Sequence, residues 1–475
     1  MIKFGTDGWR GIIGHDFNEE NVKLAAQAIA KYLNDNSKTS LVVGYDNRNK
    51  ADEFAKLTSR VLVANNIKVY LVDKFCPTPV TGWSIIDKKT DGAIMFTASH
   101  NPAEFLGLKF MTEEAMVAPS NVTDQFVANL ALISAEDVNL VDFDKATSSG
   151  QIEIFDPKPS YFAKLNTLVD IKKLKAQSSK LKVLINPMHG AGVGYLKEIL
   201  SGGNIQVEEI NGNADPSFGG LPPEPIVEKY VQDAIEKVKM GGFDVCLSSD
   251  GDSDRIGLID EKGQMLSSLE AFLLLTYYIF EIRKMRGPIV RTLSNTSMVD
   301  KLAKLYSQES FEVKVGFKYV GEKMKEVAAV FGGEESGGSA INNFMLVRDA
   351  QIMNLFILDL MVSENKPLSQ ILVQVEEKIG GGYKFKRIDI HFDYDAYEEI
   401  KNKKAPELVA NPPKEILGRE IANIRSDDGV KFNFGDDSWL LIRFSGTEPV
   451  LRTYAEAKTI EEVDSLLQYA KDYFK

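Results

Sequence analysis

The hexapeptide Thr97-Ala98-Ser99-His100-Asn101-Pro102 directly follows the apolar run Ala93-Ile94-Met95-Phe96. A β-branched and aromatic run that breaks into small polar residues and a proline predicts a strand ending in a loop. Ser99 would then stand at the strand's C-terminal edge, where open α/β sheets place their chemistry. The competing reading is a polar turn that caps the next element.

A second segment, Asp250-Gly251-Asp252-Ser253-Asp254-Arg255, puts carboxylates at alternate positions after the strand-like run Phe243-Asp244-Val245-Cys246-Leu247. In extended chain such positions face one side, and a kink at Gly251 would gather their oxygens around one cation, most naturally Mg²⁺. Adjacent carboxylates repel unless positive charge lies between them. Other readings stay open on the motif alone. An EF-hand would use Asp250, Asp252, Asp254 and Glu261, but Arg255 stands where its tight turn requires Gly, and the flanks read as strands. An aspartyl-phosphate enzyme would use Asp250 as nucleophile and Asp252 as acid/base. The bland alternative is a solvated acidic turn.

Three further segments carry phosphate- or sugar-binding chemistry. Arg443-Phe444-Ser445-Gly446-Thr447-Glu448-Pro449 follows the strand-like Trp439-Leu440-Leu441-Ile442, with Arg452 close behind. Two guanidiniums, two hydroxyls and the N–H groups of a Gly turn suit phosphate oxygens, although a Ser-Gly-Thr hairpin turn would look similar. Gly332-Gly333-Glu334-Glu335-Ser336-Gly337-Gly338 brackets two carboxylates and a hydroxyl with glycines, a pattern that fits sugar hydroxyls or simply a loop. Gly5-Thr6-Asp7-Gly8-Trp9-Arg10-Gly11 sets a cation in a Gly-rich loop, and Lys109 lies ten residues beyond Ser99, where lysine can act as general acid/base.

These segments need a frame. Val22, Ala25, Ala26, Ile29 and Leu33 recur at helical spacing, and Leu41-Val42-Val43-Gly44 predicts a buried strand. A helix over 52–65, a strand over 68–72 and the run that feeds Ser99 continue the alternation of a largely parallel α/β sheet. The pattern returns at Lys182-Val183-Leu184-Ile185, before Asn186-Pro187-Met188-His189-Gly190-Ala191-Gly192, and again before Asp250. Related α/β units are therefore expected. Gly380-Gly381-Gly382 predicts a linker to a smaller α+β domain, which begins with alternating Ile388, Ile390 and Phe392 and ends in a helix over 460–473.

Composition narrows the partners. At 475 residues, with 44% hydrophobic and 26% charged, the chain reads as an ordinary globular protein of about three or four domains. A net charge of -12 argues against a nucleic-acid or anionic-membrane surface. The first residues lack the pattern of a signal peptide, and the apolar stretch 271–280 is too short to span a bilayer, so a cytoplasmic setting is expected. Cys76 and Cys246 are the only cysteines, and His15, His100, His189 and His391 are scattered, so any metal should be a hard ion held by oxygen.

With these motifs in order, the chain resembles the α-D-phosphohexomutase superfamily over its whole length: G-T-D-G-W-R-G, T-A-S-H-N-P, D-G-D-S-D-R, G-E-E-S-G and R-F-S-G-T-E-P follow the family's order and spacing. The resemblance implies three related α/β domains (1–150, 151–257 and 258–379) and a smaller α+β domain (380–475) around a central cleft. It implies that Ser99 carries a phosphoryl group to a hexose monophosphate and recovers one from a bound bisphosphate. Asp250, Asp252, Asp254 and Ser99 would hold Mg²⁺, with Arg10 and Arg255 adding positive charge. Lys109 would be the general base or acid, with His100 beside it. Glu334 and Ser336 would hold sugar hydroxyls, Lys318 a phosphate or hydroxyl, and Arg443, Ser445, Gly446, Thr447 and Arg452 the idle phosphate.

The G-E-E-S-G loop and Val315-Gly316-Phe317-Lys318-Tyr319-Val320 resemble phosphoglucomutase-type members. The expected reaction is interconversion of glucose 1-phosphate and glucose 6-phosphate, activated by glucose 1,6-bisphosphate, in a monomer or homodimer. Phosphomannomutase, dual-specificity phosphohexomutase and hexose bisphosphate synthase activities are the neighbouring alternatives. A catalytically silent sugar-phosphate sensor is the non-enzyme one, and it would need neither Ser99, nor the carboxylate trio, nor Lys109. Two positions depart from the family pattern: Leu106 where Asn usually precedes the Gly, and Ala350 where Gly is usual.

Overall fold

The computed structural model describes residues 2–5, 7–177, 181–444 and 449–474. Its strands form four sheets along the chain. The first contains β1 (Trp9–Ile12), β2 (Ser40–Tyr45), β3 (Lys68–Val72), β4 (Gly92–Phe96), β5 (Phe105–Thr112) and β6 (Ile152–Phe155), in the order β1-β5-β4-β2-β3-β6. The second contains β7 (Lys182–Asn186), β8 (Gln206–Glu209), β9 (Val245–Ser249), β10 (Ile256–Asp260) and β11 (Met265–Leu266), in the order β11-β10-β9-β7-β8. The third contains β12 (Ile289–Thr292), β13 (Ser310–Val313), β14 (Phe331–Gly333) and β15 (Ser339–Ile341), in the order β13-β12-β14-β15. The fourth contains β16 (Lys384–His391), β17 (Glu415–Ile416), β18 (Arg419–Arg425), β19 (Val430–Phe434), β20 (Trp439–Phe444) and β21 (Val450–Ala457), in the order β16-β21-β20-β19-β18-β17.

The first three sheets repeat one plan. Each has a parallel centre (β2 with β3 and β4, β7 with β8 and β9, β12 with β13 and β14), and its last parallel strand turns back into an antiparallel neighbour. Those reversals are β4–β5, β9–β10 and β14–β15. The loops between them hold Ser99, Asp250–Arg255 and Glu334–Ser336, so three of the sequence motifs occupy one topological position in three units. Among the described residues the fourth sheet is antiparallel throughout, with β20 and β21, the strands on either side of the R-F-S-G-T-E-P motif, paired.

Burial follows the apolar pattern of the sequence. The central strands β4 and β9 are buried along their whole length, as parallel strands covered on both faces must be. One continuous apolar cluster, from Trp9 to Tyr383, underlies the first three sheets. The fourth sheet packs its own cluster, including Phe432, Leu440 and Leu451, against the C-terminal helix Ile460–Phe474. Of the two departures from the family pattern, Leu106 is fully buried in the first core, and Ala350 is the first residue of the helix Ala350–Glu364, where no glycine conformation is needed. Among the described residues no helix is long and apolar enough to cross a membrane.

Candidate active site

The loops after β4, β9 and β14 converge on one buried cluster. Ser99, Asp250 and Asp252 are fully inaccessible to solvent. Ser99 Oγ donates to Asp250 Oδ2 at 2.8 Å, across 151 residues of sequence, and lies 3.4 Å from His100 Nδ1. The other Asp250 oxygen accepts the backbone N–H groups of Asp254 and Arg255 at 2.9 and 3.0 Å, which folds the acidic loop around it. That loop is a reversal between strands and not a helix–loop–helix, so the EF-hand reading falls.

The turn itself differs from the expected kink at Gly251. The left-handed residue is Ser253, at φ 58°, and Gly251 is required for space: a Cβ there would lie 2.5 Å from the Ser99 carbonyl oxygen. The serine and acidic loops therefore touch backbone to backbone. Gly337 joins the third loop in the same way. Its φ of 87° favours glycine, and its carbonyl accepts from Ile256 N at 3.1 Å.

Cations hold the carboxylates together. Lys109, on β5, places Nζ 2.8 Å from Asp252 Oδ2, 3.2 Å from Asp254 Oδ2 and 3.2 Å from Asp7 Oδ2. Arg348 spans the cluster, reaching Asp254 Oδ2 (2.6 Å), Asp7 Oδ2 (3.0 Å) and Glu334 Oε2 (2.7 Å). Arg255 Nε stands 3.7 Å from Asp254 Oδ1 and 4.0 Å from Asp250 Oδ2. Arg10 binds Asn101 Oδ1 of the serine loop and Asp7. Burial opposes the charge on Lys109, but the three carboxylates outweigh it and hold its pKa above the usual lysine range. Burial and the surrounding cations push His100 below the usual histidine range. Burial and the neighbouring carboxylates of Asp252 and Asp254 push Asp250 well up.

The donor set fits a small hard cation. One ligand atom from each of Asp250, Asp252 and Asp254 lies within 4.8 Å of the others. Asp252 Oδ1 and Asp254 Oδ1 are buried without a hydrogen-bond partner, a costly arrangement unless something positive takes them up.

The remaining expected residues are distributed as follows. Glu334 joins the cluster through Arg348, and Ser336 Oγ in the same loop is buried without a hydrogen-bond partner. Lys318 donates to Ser120 Oγ at 2.8 Å, across the seam between the first and third units, and is not among the groups paired with the acidic cluster. Arg443 Nε is held by Asp428 at 3.0 and 3.1 Å, and Arg452 faces Arg443 across the β20–β21 ladder. Ser445, Gly446 and Thr447 lie outside the described residues.

Sequence reasoning overlooked Asp7, Thr78, Arg48 and Arg348 as parts of this site. Thr78 Oγ1 donates to Asp252 Oδ2 at 2.6 Å, and its N–H bonds Asp252 O at 2.9 Å. Arg48 lies beneath the serine loop. Of these, Asp46-Asn47-Arg48 carried a usable signal: charged residues just past the end of a buried strand.

The resemblance to known proteins follows this architecture. Models of the phosphoglucomutase/phosphomannomutase family match as alpha/beta/alpha domain I (1–136), domain II (159–263), domain III (270–379) and the C-terminal domain (399–471). A Methanosphaera stadtmanae protein named "Probable phosphoglucosamine mutase" is 30% identical over 470 residues, 99% of this chain and 97% of that one. A Staphylococcus haemolyticus phosphoglucomutase is 26% identical, over 100% of this chain and 92% of its own. The open form of the Paramecium phosphoglucomutase parafusin superposes with a TM-score of 0.84 at 20% identity, covering 99% of this chain and 94% of that one. With every domain matched in order and a relative aligned nearly end to end, the chain belongs to the phosphoglucomutase/phosphomannomutase family of the α-D-phosphohexomutase superfamily, whose members are mutases.

Proposed function

We propose that this mutase interconverts glucose 1-phosphate and glucose 6-phosphate, with Ser99 as the phosphoryl carrier and a hexose 1,6-bisphosphate as the bound intermediate. The observation that carries the proposal is Ser99 Oγ at 2.8 Å from Asp250, in the same cluster as Asp252 Oδ1 and Asp254 Oδ1, which are buried and accept no hydrogen bond. In the first half-reaction the bond from phosphorus to Ser99 Oγ breaks as a bond to a sugar hydroxyl oxygen forms, and the hydroxyl proton is taken up by a neighbouring group. In the second, the phosphoryl group at the sugar's other end leaves its sugar oxygen, its bond to Ser99 Oγ forms, and a proton returns to the sugar oxygen. Such transfer is mostly positioning and charge neutralisation. Mg²⁺ held by Asp250, Asp252, Asp254 and Ser99 would neutralise charge on the serine phosphate.

Arg10 and Arg255 add fixed positive charge beside Ser99, while Lys109, kept an ammonium by its three carboxylates, serves as the acid, with His100 beside it to share the proton. Glu334 and Ser336 accept from or donate to the sugar, and Lys318 is offered to a phosphate or sugar hydroxyl. Arg443, Ser445, Gly446, Thr447 and Arg452 hold the phosphate that is not reacting. The proposal extends to glucose 1,6-bisphosphate as activator, domain limits near 150, 257 and 379, a monomer or homodimer, and a cytoplasmic setting.

Glucose is favoured by the G-E-E-S-G loop. The names of the relatives divide between glucose and glucosamine phosphates, so the sugar is the part to test hardest. The experiment is a panel of glucose, mannose and glucosamine phosphates with and without bisphosphate, beside Ser99→Ala. The parent should carry an acid-stable phosphate adduct by intact mass, and Ser99→Ala should carry none and turn nothing over. Mutase activity that survives in Ser99→Ala would sink the mechanism, and a preference for mannose or glucosamine phosphate would sink the substrate assignment.

A further inference from the structure

Arg48 sits outside the charge cluster and has a different set of partners. Its side chain is wholly buried, and its Nε donates to Asp46 Oδ2 at 3.2 Å. The rest of the guanidinium serves the serine loop and the start of β5. Nη1 donates to the carbonyls of Pro102 (2.8 Å) and Phe105 (3.0 Å), and Nη2 to those of Ser99 and Asn101 (2.7 Å each). All five N–H donors of an arginine are thereby used, three of them on the serine loop and one on Phe105 where β5 begins. Phe218, from the second unit, covers the guanidinium face at 4.6 Å from the ring centroid.

A second circuit closes on the same serine. Asp46 accepts Arg48 N at 3.0 Å and a hydrogen bond from the Thr97 side chain, while Thr97 Oγ1 accepts Ser99 N at 2.9 Å. Ser99 is therefore gripped by its N–H and its C=O, in the left-handed conformation (φ 53°) that residues with a Cβ rarely adopt. Strain of this kind persists only where surrounding contacts over-determine it. With the loop carbonyls drawn to Arg48, Ser99 Oγ is left facing Asp250.

We infer that Arg48 is the positioning residue that sets the direction of Ser99 Oγ, with Phe218 as the cover that keeps its guanidinium dry and flat. It acts through the loop backbone. The inference rests on Ser99 being the phosphoryl carrier, because a carrier must offer the same oxygen in the same line at every turnover, and a misplacement of about 1 Å can cost on the order of a hundredfold in rate. Lysine cannot substitute, since an ammonium has three donors and no planar fork.

The test compares full-length Arg48→Lys with the parent on glucose 1-phosphate, at saturating Mg²⁺ and glucose 1,6-bisphosphate, well below either melting temperature. The expected result is a fall in kcat on the order of a hundredfold with KM within about threefold, as for lost orientation. The rate at which glucose 1,6-bisphosphate phosphorylates Ser99, read by quenched intact mass, should fall in step. A kcat within about threefold of the parent, or a loss carried by KM, overturns the assignment. If Arg48→Lys does not fold, Phe218→Leu decides: it keeps the apolar volume and both ions, and kcat should drop about three- to fivefold at constant KM. An unchanged kcat there overturns it. Ser99→Ala separates the two levels. Turnover in that variant brings down the carrier reading and this inference together, whereas an inactive Ser99→Ala beside an unaffected Arg48→Lys removes only the role of Arg48.

Discussion

At the seam between the third and fourth sheets, Glu312 has both oxygens taken, whereas in the cleft Asp252 and Asp254 each keep one oxygen buried and unused. Glu312 Oε2 accepts from Arg291 Nη1 and Lys431 Nζ at 2.5 Å each, and Oε1 from Arg425 Nη1 at 3.2 Å. Arg291 and Arg425 are closed off in turn by Asp300 and Asp427. Both clusters hold buried cations and both mix signs, so a buried charge alone does not tell them apart. Glu456 Oε1, at the same seam as Glu312, is also buried without a hydrogen-bond partner, so the feature that marks a ligand site is the gathering of carboxylates at one point, with ligand atoms of Asp250, Asp252 and Asp254 within 4.8 Å of one another.

Their energetics differ accordingly. Burial raises the cost of ionising Glu312, but Arg291 and Lys431 outweigh it and hold its pKa down to about 2. Burial and the Arg291 charge bring Lys431 down to about 8 despite its ion pair. In the cleft the balance runs the other way for Asp250, which burial and like charge push up.

Substitution on each side of this comparison should separate activity from stability. The largest effect is expected for Asp252→Asn, which removes a proposed metal ligand: kcat should fall by about a thousandfold or more, with no loss of melting temperature. A variant that melts much earlier while staying active would place Asp252 with the structural cluster. Glu312→Gln should do the reverse, leaving the buried Arg291 and Lys431 and the partly exposed Arg425 short of a carboxylate and destabilising by about 3 to 5 kcal/mol, while specific activity of the folded protein stays within about threefold. Denaturant unfolding followed through Trp439, which reports on the fourth domain, checks this.

Acid should find the same seam. The Glu312 pKa in the folded chain lies below the ordinary glutamate value, so its stabilisation is present above about pH 4.5 and is lost as pH falls toward about 2. The loss should amount to about 3 kcal/mol, and it should be missing in Glu312→Gln. An identical acid transition in the variant would contradict the assignment. The smallest effect is expected from Mg²⁺ on the parent. At about a hundred times its Kd it should add about 2.7 kcal/mol of stability, seen as a rise in melting temperature that EDTA reverses and that Asp252→Asn lacks.

Much of the fold was legible because its signals are local. The strand expected over 68–72 is β3, and the helix expected over 460–473 is the C-terminal helix, since alternation and helical spacing report burial of neighbours in sequence. The site was legible where a motif concentrates its chemistry, as in the serine and acidic loops. It was not legible where one residue serves a distant partner. Arg348 belongs to none of the motifs that were read for chemistry, yet it joins Asp7, Asp254 and Glu334. Gly251 was expected to kink the chain, but the left-handed turn falls on Ser253, and Gly251 is needed because the Ser99 carbonyl comes close from another unit.

The sequence alone determined the classes of chemistry: a hydroxyl at a strand end, three carboxylates at alternate positions, and Gly-rich loops with polar and cationic groups for a sugar phosphate. It also determined the alternation that makes three α/β units and a fourth of a different kind. Only the tertiary structure decided that the three loops occupy the same reversal in three repeated sheets, that Lys109 and Arg348 bind the acidic cluster together, and that Arg48 commits every N–H it has to one side of Ser99 and its partner Asp46. The physical reason is that periodicity and motif record what each segment must bury or present, whereas a hydrogen bond across 151 residues depends on how separate units pack.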